Sequence, residues 1–177
     1  MNTEEYLKSK IRDVMDFPKK GVVFKDITTL IQDPVALNTA IFEMKKICKG
    51  KNIDVIVGIE SRGFIFGSIL AHELGVGFVP VRKRGKLPGD KMKEEYELEY
   101  GTDAIEIHSD AIEKGQNVMI VDDLLATAGT SAATGRLVER LGGNVVGLLF
   151  LVELSFLGGR KKIGKYNINS LVTYDKE

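Results

Sequence analysis

The run from Val118 to Ser131, VMIVDDLLATAGTS, is where the chain's fold and chemistry meet. Its four successive apolar residues need burial on both faces, as in a strand inside a parallel sheet. The strand ends in two carboxylates, Asp122 and Asp123, after which the small-residue loop Ala126-Thr127-Ala128-Gly129-Thr130 leads into a helical period. Free N–H groups of the loop and of the first helical turn, with the hydroxyls of Thr127, Thr130 and Ser131, make a cradle for a phosphate dianion. The two carboxylates can accept hydrogen bonds from sugar hydroxyls. An isolated Asp-Asp would be read as a strand end, and Thr130 or Ser131 as a helix cap. Small residues at Ala126, Ala128 and Gly129, which let a ligand approach the backbone, favour the cradle. A nucleoside triphosphatase would need G-x-x-x-x-G-K-[ST] and a dinucleotide binder G-x-G-x-x-G; the sequence contains neither.

Outward from this run, short apolar stretches alternate with helical periods. DVIVG at 54–58, FIFGSILAHELG at 64–75 and FVPV at 78–81 precede it; SAATGRLVERLGG at 131–143 and VVGLLFLVEL at 145–154 follow. Strand, helix, strand in that order predicts an α/β fold with a mostly parallel central sheet flanked by helices, whose ligands gather at the carboxyl ends of the strands. Leu7, Ile11, Val14 and Met15 predict an amphipathic helix over residues 4–15, and Asp33-Pro34 a second helix reaching about Cys48. Between Arg82 and Ile107 the apolar runs lapse. Arg82, Lys83, Arg84, Lys86, Lys91 and Lys93 crowd around Gly85, Pro88 and Gly89, and EYELEY at 95–100 then alternates as a strand does. A basic, glycine-bearing segment beside a sheet's active edge is a candidate lid.

With 177 residues, 44% hydrophobic and 28% charged, the chain suits one domain with one sizeable core. Lysine plus arginine equal aspartate plus glutamate at 25 each, so no global field favours nucleic acid or an anionic membrane, and anions must be held by local charge. The single cysteine, Cys48, excludes an intramolecular disulfide and a cysteine-clustered metal site, and suits a reducing cytoplasm. The mixed-charge start MNTEEYLKSKIRDVMDF reads as neither signal peptide nor membrane span. His72 and His108 show no metal-ligand spacing and are read as structural.

VDDLLATAGTS resembles the phosphoribosyl-pyrophosphate-binding motif of the type I phosphoribosyltransferases. FPKKGVVFKDIT at 17–28, GIESRGFIFG at 58–67, VPVRKRGKLPG at 79–89 and LEYGTDAIEIH at 98–108 extend the resemblance over nearly the whole chain, and point to the adenine branch of that family. The resemblance implies one domain over residues 1–177, with an N-terminal hood over about 1–33 and a lid loop over about 83–99. It implies transfer of the 5-phosphoribosyl group from phosphoribosyl pyrophosphate to N9 of adenine, giving AMP and diphosphate. In that reading Ala126, Thr127, Ala128, Gly129 and Thr130 hold the ribose 5-phosphate, while Asp122 and Asp123 face the ribose hydroxyls. Glu60, Ser61 and Arg62, with Arg82 and Lys86, meet the diphosphate. The backbone of Val23 and Lys25 reads adenine, whose ring lies between Phe24 and Leu154.

Arg62 and Glu99 are the implied catalytic residues, Glu99 managing the purine proton, with Tyr100 beside it in the lid. Without the resemblance, Phe24 and Leu154 read as core residues and Glu99 as an outward strand residue. Mg²⁺ is expected on the substrate rather than in a protein cage, and the family implies a homodimer. A 6-oxopurine or orotate transferase would share only the central motif. A non-catalytic sensor of phosphoribosyl pyrophosphate is the alternative from another class, and a DNA-binding version would need a basic arm that the chain lacks. Two residues depart from the usual family pattern: Ala128 stands where glycine is common, and Lys25 where arginine is. A positive φ at Ala128 would cost on the order of 1 kcal/mol.

Overall fold

Strands β3 (Val55–Ile59) and β7 (Asn117–Leu125) lie side by side and parallel at the centre of the chain, Val57 opposite Ile120. The computed structural model describes residues 1–97 and 101–176. Around the central pair, β4 (Gly77–Lys83), β8 (Asn144–Leu154) and β9 (Ile168–Tyr174) continue the parallel sheet, and β5 (Lys91–Glu97) and β6 (Thr102–His108) close one edge as an antiparallel hairpin. The sheet has seven strands in the order β5-β6-β4-β3-β7-β8-β9. The expected mostly parallel α/β sheet is therefore the one observed.

Both faces of the centre are buried, as the unbroken apolar runs require. Val55, Val57, Val118, Ile120, Leu148 and Phe150 join one core cluster with Leu137 and Val138; Ile56, Met119, Val121, Leu149 and Leu151 join the other with Phe66 and Leu70. The two sets alternate along each strand, so every second residue serves the opposite core. Each fully buried large side chain contributes roughly 1.5–3 kcal/mol.

Helix α4 (Gly63–Leu74) follows β3 on one face and α5 (Gly129–Arg140) follows β7 on the other. Gly75 ends α4 in the left-handed region at φ 69. After a short helix α2 (Thr28–Gln32), helix α3 (Pro34–Cys48) begins where the sequence places it: the Asp33 carboxylate accepts from the N–H groups of Val35 and Ala36, and Pro34 fills the first turn. The chain leaves β3 towards β4 and leaves β7 in the opposite direction towards β8. That reversal opens a crevice at the carboxyl ends of β3 and β7, the place where open α/β sheets bind ligands.

The N-terminus departs from its expected form. Helix α1 covers only Thr3–Ser9, and Arg12–Met15 forms a strand, β1, antiparallel to β2 (Val23–Asp26). Cross-strand charge decides this. Arg12 pairs with Asp26 directly opposite, and Lys25 Nζ lies 2.8 Å from Asp13 Oδ1, also opposite. Met15, 67% exposed, adds an apolar residue at helical spacing that buries nothing. A turn from Asp16 (φ 58) to Gly21 (φ 89) closes the ribbon. Among the described residues, no helix is long and apolar enough to cross a membrane.

Candidate active site

A cavity of about 650 Å³ opens at the carboxyl ends of β3 and β7. Its lining includes Glu60, Ser61, Arg62, Asp122, Asp123 and Thr130, so the loops after both central strands contribute to one chamber. Gly63 makes their approach possible. A Cβ there would stand 2.8 Å from Asp122 Oδ1 and 2.9 Å from the Val121 carbonyl oxygen, so any larger residue would push the start of α4 off the end of β7.

The two carboxylates at the end of β7 are buried together. Asp122 Oδ1 accepts the Asp123 N–H at 2.8 Å. Burial, and then the neighbouring Asp123 charge, push the Asp122 carboxyl well above its usual range. Burial also raises Asp123, against the pull of the Arg62 guanidinium. Arg62 Nε stands 2.6 Å from Asp123 Oδ2, yet that buried oxygen has no hydrogen-bond partner among the described residues. The contact is thus a close ion pair that falls short of hydrogen-bond geometry. Arg62 also lies 5.4 Å from the centre of the Phe24 ring, joining the ribbon to the site.

Across the cavity, Glu60 gathers the cations that follow β4. Its Oε2 accepts from Arg82 Nε at 3.2 Å and from the Lys83 N–H at 2.9 Å, while Oε1 accepts from Lys86 Nζ at 2.8 Å. Burial would raise this carboxyl, but the bonds from Lys86, the Lys83 N–H and Arg82 outweigh it and bring it down to about 2. The peptide between Glu60 and Ser61 is cis.

The loop after β7 has the character of an anion cradle. Ala128 is the N-cap of α5 at φ 64, ψ 13, so alanine does occupy a left-handed position there. Among the described residues, no hydrogen bond uses the backbone N–H of Thr127, Ala128, Gly129, Thr130 or Ser131. These five N–H groups stand at or next to the positive end of the helix. Of the loop residues expected at the 5-phosphate, Thr130 lines the main cavity, Gly129 lines a separate, smaller cleft that shares Tyr96 with it, and Ala126, Thr127 and Ala128 line neither.

The remaining expected residues divide. Lys86 lines the cavity, while Arg82 reaches it through Glu60. Val23 and Lys25 turn their side chains away into a separate cleft of about 400 Å³ beside Tyr174, where Lys25 Nζ sits 4.4 Å from the ring centre. Phe24, alternating with them, turns towards Arg62. Leu154 ends β8 beside Tyr174 and does not line the main cavity. Glu99 and Tyr100 lie outside the described residues.

Sequence reasoning missed Tyr96 and Asp103, which both line the cavity, Tyr96 Oη lying 3.1 Å from Asp103 Oδ2. Burial raises the Tyr96 phenol, and its ring rests against Gly129 at the start of α5. Glu94, on the same strand, is held by Arg136 Nε at 2.6 Å and Arg140 Nη1 at 2.8 Å. Period-two alternation in EYELEY could have pointed to Tyr96, whereas the ion pairs to α5 carry no local signal.

Residues 32–175 match the phosphoribosyl transferase domain family. The chain is 60% identical to adenine phosphoribosyltransferase of Clostridium perfringens over 169 residues, covering 96% of this chain and 98% of that one. The chain belongs to the adenine phosphoribosyltransferases. It is 58% identical to the Acetivibrio thermocellus member, over 95% of this chain and 99% of that one. The crystal structure of the Thermoanaerobacter pseudethanolicus adenine phosphoribosyltransferase superposes with a TM-score of 0.94 at 55% identity, covering 96% and 99% of the two chains. The yeast adenine phosphoribosyltransferase, solved with an imino-altritol bisphosphate and adenine, gives 0.90 at 44% identity, covering 96% and 98%. The protein is accordingly a pentosyl-transferring enzyme of purine salvage.

Proposed function

We propose that this cavity binds phosphoribosyl pyrophosphate with its 5-phosphate on Ala126–Thr130, its ribose hydroxyls on Asp122 and Asp123, and its diphosphate between Arg62 and the Glu60–Arg82–Lys86 cluster, and that adenine enters under the β1–β2 hood. The observation that supports this reading most is the Arg62–Asp123 contact at 2.6 Å, which holds a guanidinium suited to diphosphate and a carboxylate suited to ribose hydroxyls on one wall.

Positive charge grows on the ribose C1 carbon as diphosphate departs. Arg62, Arg82 and Lys86 stabilise the charge left on the leaving group, and the buried carboxylates oppose the cation that forms. Adenine N9 attacks that carbon, and the N9 proton passes to a base, the role assigned to Glu99. In a two-stranded ribbon, alternate residues of β2 turn their N–H and C=O groups away from β1. Such an edge accepts from the 6-amino group and donates to N1, and a 6-oxopurine reverses both polarities, at roughly 1–3 kcal/mol for each buried group left unpaired. Lys25 therefore acts through its backbone, its ammonium being engaged by Asp13.

The residues fit Mg²⁺ carried on the substrate rather than caged by the chain: Asp122 and Asp123 are neighbouring hard oxygen donors, and Asp123 is already paired with Arg62. Such an ion would neutralise charge on the diphosphate and ribose oxygens. The whole chain acts as one domain, with a hood over about 1–33 and a lid over about 83–99 that excludes water from the ribosyl cation. A homodimer in the cytoplasm, using small-molecule substrates alone, completes the reading.

The test is a purine panel: purified protein, phosphoribosyl pyrophosphate and Mg²⁺ with adenine, hypoxanthine, guanine or xanthine. AMP should form from adenine, with little or no nucleotide from the other three. Absence of AMP would overturn the assignment.

A further inference from the structure

The phosphate loop has a second wall that the reaction chemistry does not call for. After β8, a 3-10 turn (Ser155–Leu157) and Gly158 at φ 70 bring helix α6 (Gly159–Lys162) back against the loop from behind. A Cβ on Gly159 would stand 2.0 Å from the Ala126 carbonyl oxygen, 3.0 Å from the Ala126 carbonyl carbon and 3.1 Å from the Ala128 nitrogen. Unstrained carbon contacts begin at roughly 3.5 Å, so only glycine lets the two backbones touch.

The next residue fixes this contact. Arg160 forks onto Glu153, Nε to Oε1 at 2.8 Å and Nη2 to Oε2 at 2.5 Å, and its Nη1 donates to the Ile168 carbonyl of β9 at 3.0 Å. Ser170 Oγ donates to the same carboxylate at 2.7 Å. Glu153 is 4% exposed and sits in register with Leu125, the residue just before Ala126. The ion pair therefore ties α6 to the sheet at the root of the cradle. The same loop contains Ala128 in a left-handed conformation that its side chain does not favour.

We propose that Gly159, held by the Glu153–Arg160 fork, is a positioning residue: its backbone braces Ala126–Ala128 and so aims the loop N–H groups at the 5-phosphate. This rests on the reading of that loop as the phosphate cradle. Because the 5-phosphate is remote from the reacting carbon, a displaced cradle weakens ground state and transition state alike.

Gly159→Ala should raise KM for phosphoribosyl pyrophosphate roughly tenfold or more, the equivalent of one charge-assisted hydrogen bond, while kcat stays within about threefold and KM for adenine within about twofold. Arg160→Lys, which keeps the charge but loses the fork, should move the same KM in the same direction by a smaller factor, and covers the case in which Gly159→Ala does not fold. Thr130→Ala tests the underlying reading. If Thr130→Ala raises KM for phosphoribosyl pyrophosphate but neither Gly159→Ala nor Arg160→Lys does, the brace is refuted and the cradle stands. If none of the three moves it, the cradle itself is wrong and the brace falls with it. A fall in kcat with unchanged KM would also overturn the proposal.

Discussion

Replacing Asp122 by asparagine is expected to make the enzyme more stable and less active, for one electrostatic reason. Asp122 and Asp123 are both buried, and among the described residues only Asp123 is paired with a cation, Arg62 at 2.6 Å. Burial first, and the facing Asp123 charge second, raise the Asp122 carboxyl well above the usual carboxylate range. A carboxyl raised on folding destabilises the folded chain above its unfolded pKa; the cost is absent below about that value, grows as pH rises, and levels off above the folded pKa. Asparagine keeps Oδ1 for the Asp123 N–H, and its amide can donate to the Asp123 carboxylate. Removing a functionally required burden of this kind commonly gains roughly 1–2 kcal/mol, or about 2–8 °C in Tm for a chain of this length. Calorimetry without substrate from pH 4.5 to 8.5 should show that gain at the alkaline end and its decline towards pH 4.5. Steady-state kinetics should show kcat/KM for phosphoribosyl pyrophosphate down by about tenfold to a hundredfold, since a charged acceptor of a sugar hydroxyl is lost. A lower Tm at pH 8.5, or a gain independent of pH, would refute the reasoning.

Three further outcomes are expected. Ala128→Gly should leave stability within about 1 kcal/mol by urea titration, because relief of the left-handed backbone is offset by the loss of a buried methyl and by greater freedom of the unfolded chain. Glu60→Gln should destabilise by roughly 1–2 kcal/mol at pH 7, discounted because Lys86 is half exposed; the difference from the parent should vanish as pH falls from about 4.5 towards about 2, the range over which Glu60 loses its charge. Glu94→Ala, which releases β5 from Arg136 and Arg140, should raise hydrogen exchange in residues 91–97 well before it alters exchange in β3 or β7.

The core of the fold was legible because its signal is local. An unbroken apolar run bounded by acids and small residues has few alternatives to a strand buried on both faces, and Asp33-Pro34 carries its own cap. The N-terminal ribbon was misread because Ile11, Val14 and Met15 keep helical spacing, while the features that select a strand are pairings with residues 12–14 positions away. The crevice residues could be picked out for a similar reason: Asp122 and Asp123 lie within the last four residues of β7, and Arg62 comes three residues after β3. Tyr96, Asp103 and Gly159 could not be, since their roles depend on which elements fold against the loop, and a glycine in GGR looks like any turn glycine until Ala126 is found against it.

In the proposed reading, the substrate exchanges with partners that the site's charges already have. Arg62 stands on Asp123, and Arg82 and Lys86 on Glu60, so the cations assigned to the diphosphate are each neutralised within the chain. A diphosphate entering this cavity competes with carboxylates instead of meeting bare cations. That lowers its net affinity but leaves the guanidinium and ammonium groups pre-positioned, so less side-chain freedom is lost when they turn to it. An overall charge of zero fits such a site: specificity for the anion lies in geometry at the β3–β7 crevice, and no long-range field is needed to supply it.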